Sequence, residues 1–80
     1  MSQTQVEKLP LDFNAYEQYG IAQNYIAFKV IIKNIDIHDA DNFESEYQQQ
    51  RYKIFHSDMK QNSDGTYELV LIIAQSSHTF

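Results

Sequence analysis

An Asp-Gly pair set between two β-forming runs constrains this chain more than any other feature. Asn62-Ser63-Asp64-Gly65 separates residues 51–59 from residues 66–75, and Asp-Gly supplies the positive-φ positions that a tight hairpin turn demands. The C-terminal third therefore reads as an antiparallel hairpin with arms at about 51–60 and 66–76. Its second arm contains Leu69-Val70-Leu71-Ile72-Ile73-Ala74. Strand side chains alternate between faces, so an unbroken apolar run is a strand that needs cover on both sides.

A third strand is expected at about 25–35, where β-branched and aromatic residues alternate with Lys29 and Lys33. Ile26, Phe28, Val30 and Ile32 would form its buried face. Two segments carry helix signals. In Leu11 to Gly20, Asp12 is placed to cap a short helix and Gly20 to end it; an irregular segment that packs Phe13 and Tyr16 inward is the other reading of the same stretch. In residues 36–50 two readings stay open. As a helix over about 41–50, Asp41 would be the N-cap with Glu44 three residues on, and Phe43 and Tyr47 would share a face. As an extended segment, Glu46 to Ile54 would lengthen the following strand. The helix is preferred.

The expected fold class is therefore α+β: a small antiparallel sheet of about three strands with a C-terminal hairpin and one or two short helices, at about 11–19 and 41–50. Residues 1–8 are largely polar with no apolar core, so 1–10 read as a flexible tail and 11–80 as a single domain, with the last residues from Ser76 frayed. A chain of 80 residues has little room for a second core. With three strands and so little other chain, one sheet face would stay apolar and uncovered, which points to a homo-oligomer, a dimer in the simplest case, or to docking on another protein through that face or a free strand edge.

Cysteine is absent, so no disulfide forms, and a reducing, cytoplasmic setting is expected. The longest apolar run is six residues, far short of the ~20 that span a bilayer, so no membrane association is expected. Eleven acidic against six basic residues give a net charge of −5. Direct nucleic-acid binding draws on Lys and Arg to neutralise phosphates, and this balance argues against it. An acidic protein is suited instead to a partner protein with a basic surface, and Asp36, Asp39, Asp41, Glu44 and Glu46 are the residues expected to meet it. The six tyrosines join that expectation, because a tyrosine ring offers apolar area and a hydroxyl together. Tyr25, Tyr47 and Tyr52 are the three singled out.

Catalysis finds no constellation to rest on. The three histidines are scattered. His38 lies among Asp36, Asp39 and Asp41, a composition ordinary for a polar turn, and the run from Asp39 fails the calcium-loop pattern at the required glycine. His56, Ser57 and Asp58 are consecutive on a strand and point to alternate faces. With Gly20 and Gly65 the only glycines, no glycine-rich phosphate loop exists. No cofactor and no metal are expected, and the reading is of a non-enzymatic protein-binding protein, an inhibitor or adaptor.

One resemblance adds an alternative. Lys33-Asn34-Ile35-Asp36-Ile37 closing a strand, an acidic turn with Phe43, then Tyr52-Lys53-Ile54-Phe55, a polar connection and Thr66-Tyr67-Glu68-Leu69-Val70-Leu71 resemble, in order, the early antiparallel meander of the SecB family of export chaperones. The likeness covers about half the chain. It implies a homo-oligomeric, polypeptide-binding chaperone that presents an apolar groove to unfolded polypeptide; a homo-oligomeric structural subunit, whose paired sheets are the product, is the further alternative and rests on the two-sided strands.

Overall fold

A computed structural model describes residues 4–76. Strand β1 (Gln5–Pro10), helix α1 (Phe13–Tyr19), strand β2 (Tyr25–Ile35), helix α2 (Ile37–Gln49), strand β3 (Lys53–Gln61) and strand β4 (Tyr67–Ser76) follow in chain order. The fold is α+β. All neighbouring strands are antiparallel in the order β1-β2-β4-β3.

The hairpin, both of its arms and strand β2 fall where the sequence places them. The sheet has four strands rather than about three, because Gln5–Pro10, expected in a polar tail, pairs with β2 along its whole length. All six of its residues are exposed, so the strand is held by backbone pairing and not by a buried side-chain face. The positions Met1–Gln3 of that tail, and 77–80 of the expected frayed end, lie outside the described residues. The strand order also departs from a plain meander. Strands β2 and β3 lie on either side of β4 and run parallel to each other, joined by α2, which is a split β-α-β unit.

Two clusters cover the two faces of β4. Leu69, Leu71 and Ile73 pack with Val30, Ile32, Ile35 and Ala40 beneath α2. On the other face, Ile72 and Ala74 pack with Ala27, Tyr16 and Ile21 beneath α1. Two bulges sort side chains between these faces. The register shifts between Ile32 and Ile35, where Asn34 takes φ 62°, and this turns Ile35 onto the same side as Ile32. A second shift, between Ile54 and His56, leaves Phe55 in the α1 cluster and puts His56 on that side too, its ring centroid 5.5 Å from that of Tyr19.

Both helices end in the same way. After α1, Gly20 (φ 70°) donates to Glu17 O and Ile21 donates to Tyr16 O. After α2, Arg51 (φ 71°) donates to Gln48 O and Tyr52 to Tyr47 O. Each is a Schellman motif with its accompanying apolar contact, Ile21 on Tyr16 and Tyr52 on Tyr47. At the other end of α1 the cap is Asp12, whose carboxylate accepts from Ala15 N at 2.9 Å, as the sequence indicates. Helix α2 begins earlier than expected. Its cap is Asp36, not Asp41, because the Asp36 carboxylate accepts from the backbone N–H of both His38 and Asp39. The cap moves five positions, residues 37–41 thereby join the helix, and Ala40 becomes part of the core.

Two packing expectations are corrected. Phe13, inward-facing in the irregular reading, is 72% exposed, since the segment is helical and turns Tyr16 and Tyr19 to the sheet instead. Ile26 is 49% exposed, because it pairs with Gln75 near the sheet end and takes no part in the core beneath α2.

One contact fixes how α1 lies on the sheet. Ala27 O accepts from Leu11 N, so the Ala27 N–H also points toward the β1 side, where β1 has already ended. The Tyr16 hydroxyl takes its place, accepting from Ala27 N at 2.9 Å and donating to Tyr25 O at 3.1 Å. A side chain thus continues the ladder that the backbone has left.

Candidate functional site

Helix α2 gathers the acidic residues that the sequence singles out. Ala40, Phe43 and Tyr47 recur at helical spacing and face the core. Their neighbours on either flank are acidic. Glu44 turns toward β3, where its carboxylate accepts from the Ser57 hydroxyl at 2.6 Å. On the opposite flank Asp39, Asn42, Phe43 and Glu46 line a shallow depression. Asp41 is exposed, and Asp36 is occupied as the cap. Ile37, at the first position of the helix, is 50% exposed, so an apolar side chain stands among the carboxylates.

The charge distribution is more uneven than the net value conveys. Of eleven acidic residues, five (Asp36, Asp39, Asp41, Glu44 and Glu46) lie between Asp36 and Gln49, a segment without Lys or Arg. The rest of the chain holds six acidic and six basic residues and is balanced. The whole net charge of −5 therefore belongs to one helix and its cap. At physiological salt, fields from exposed charges reach about 8 Å, so a partner would meet α2 as a distinct negative surface.

The tyrosines divide. Tyr47 and Tyr52 meet edge to face with ring centroids 5.8 Å apart. Lys8, reaching across from β1, places its ammonium 4.2 Å from the Phe28 ring centroid and 5.3 Å from that of Tyr52, and donates to the Tyr52 hydroxyl at 3.4 Å. Burial raises the Tyr47 pKa above 10.0, with the nearby Lys8 charge working against that shift. Tyr25 lies elsewhere: it belongs to the α1 cluster on the opposite face, its ring 6.0 Å from Phe55. The structure thus brings Tyr47 and Tyr52 to the acidic helix and leaves Tyr25 apart from it.

Lys8 and Phe28 are the two residues of this surface that sequence reasoning missed. Lys8 and Tyr52 are 44 positions apart, and no local pattern links them. Among the described residues no three His, Asp or Glu side chains are placed to hold a metal ion, and no helix is long and apolar enough to cross a membrane. Comparison with protein families, with curated proteins and with solved structures finds no match to this chain.

Proposed function

We propose that this chain is a small non-enzymatic binding protein, an inhibitor or adaptor, that docks helix α2 on a basic surface of another protein. The observation that carries this reading is the placement of the entire net charge on α2 and its cap. Asp39, Asp41 and Glu46 would meet Lys and Arg side chains of the partner, steering the encounter. Exposed Ile37 and the edge of Phe43 would supply apolar contact at its centre.

The test is capture of the partner from host extract on the tagged chain, followed by titration with the double variant Asp41→Lys, Glu46→Lys. Neither of these side chains caps the helix or enters the core, so circular dichroism should be unchanged. Affinity should fall at least tenfold, and wild-type affinity should drop with added salt. Equal affinity of variant and wild type would refute the docking face.

A second reading follows from the likeness to the export chaperones and draws on one observation, the edge strand β1 with all six residues exposed, which offers an unfolded chain a backbone edge to pair with. Under it, the tagged protein would retain many unrelated unfolded chains, and the α2 charge reversal would leave that capture intact.

A further inference from the structure

Among the described residues the sheet has two edges without a further strand, β1 and β3, and each is judged by what could pair with it. Along β1, the bond from Leu11 N to Ala27 O sets the alternation: Leu9, Glu7 and Gln5 turn their backbone groups toward β2, while Val6, Lys8 and Pro10 turn theirs outward. Pro10 has no N–H to donate, so the outward donors of the strand are those of Val6 and Lys8. Val6 is also 51% exposed. Beside it Gln5, Glu7, Ile31 and Lys33 line a shallow cavity.

We propose that β1 is the joint of a homodimer, pairing antiparallel with β1 of a second copy about a twofold axis through Val6, to give one continuous eight-stranded sheet. The register follows from the side chains. Centred on Val6, the pairing sets Val6 against Val6 of the second copy, Gln5 against its Glu7 and Thr4 against its Lys8, and Pro10 opposes none of the described residues. Centred on Glu7, it would oppose two glutamates and bring Pro10 against Thr4, where the missing donor breaks the ladder. Centred on Lys8, it would oppose two lysines and set Pro10 against Val6. Like charges directly opposed are destabilising, and Pro within a ladder removes a bond, so one register of the three is free of both faults.

The other edge has its own self-complementary register, about Met59, with Asp58 opposite Lys60. What decides against it is α2, which lies over β3 with Glu44 bonded to Ser57. Joining two copies there would lay two helices that carry only acidic charge side by side. The β1 joint keeps them at opposite ends of the sheet and leaves both free, so its failure would not touch the docking role of α2.

The experiment is sedimentation or light scattering of the full chain from micromolar to about 1 mM, with three variants. Val6→Pro and Met59→Pro each delete one outward-facing donor and leave the inner ladder intact. Gln5→Glu places a carboxylate opposite Lys33 within the monomer and opposite Glu7 of the second copy, so it preserves the fold and weakens the joint at two symmetric positions. The mass of the wild type should rise from one chain to two. Val6→Pro should stay monomeric, Met59→Pro should dimerise as the wild type does, and Gln5→Glu should raise the dimer Kd several-fold. The proposal is overturned if the wild type remains a single chain throughout, if Met59→Pro and not Val6→Pro abolishes the dimer, or if Gln5→Glu leaves the Kd unchanged. Should Val6→Pro unfold, Gln5→Glu decides alone.

Discussion

Replacing Tyr16 by Phe should remove one oxygen atom and a large part of the protein's stability. The Tyr16 hydroxyl bridges Ala27 N and Tyr25 O, and Ala27 is 2% exposed, so water cannot take over the lost contact. Phe keeps the ring and its packing, and leaves the Ala27 N–H buried without a partner. That penalty is about 1–3 kcal/mol. A chain of this size has about 4–12 kcal/mol in total, and each kcal/mol corresponds to about 4–8 °C in Tm, so a fall of roughly 5–20 °C is expected. Urea unfolding gives the free energy. Hydrogen exchange of the Ala27 amide tests the cause, since its protection should collapse more than that of its neighbours. Tyr19→Phe is the control, because the Tyr19 hydroxyl makes no hydrogen bond among the described residues. The reasoning fails if Tyr16→Phe costs less than about 0.5 kcal/mol and the Ala27 amide stays protected.

Two further outcomes are expected. Arg51→Gly should stabilise the chain by about 0.5–1 kcal/mol, seen as a higher urea midpoint, because Arg51 holds a left-handed φ of 71° that costs a side-chain-bearing residue about 1–2 kcal/mol, offset in part by glycine's greater chain entropy. Raising the pH through 10 should weaken the fold through Tyr47, whose folded pKa lies above 10.0 because burial disfavours the phenolate. Its contribution is fully present below the unfolded value and is lost as pH rises through the folded one, so unfolding midpoints measured from pH 9 to 11 should fall less steeply in Tyr47→Phe.

What the sequence determined by itself was local. The Asp64-Gly65 turn follows from short-range chemistry: the Asp64 carboxylate accepts from both the backbone N–H and the hydroxyl of Thr66, and those bonds hold its pKa below the ordinary value. The cap at Asp12, the stop at Gly20 and the two-sided burial of β4 also rest on residues a few positions apart. The acidic stretch was equally legible, since charge is read directly from composition.

What only the tertiary structure decided was non-local. Strand β1 exists because β2 offers it a ladder, and nothing in its exposed side chains announces that. Asp36 won the cap of α2 from Asp41 because beginning there carries Ala40 into a core formed with strands β2 and β4. The Tyr16 hydroxyl found its two partners on β2, nine and eleven residues away, at the place where β1 peels off. Lys8 reached Phe28 and Tyr52 from the far edge of the sheet, while Tyr25 went to the other face. Periodicity tells a residue which neighbours share its face. Which face lies under which helix is fixed only when strands distant in sequence pair, and that pairing divided the tyrosines and left all the net charge on one exposed helix.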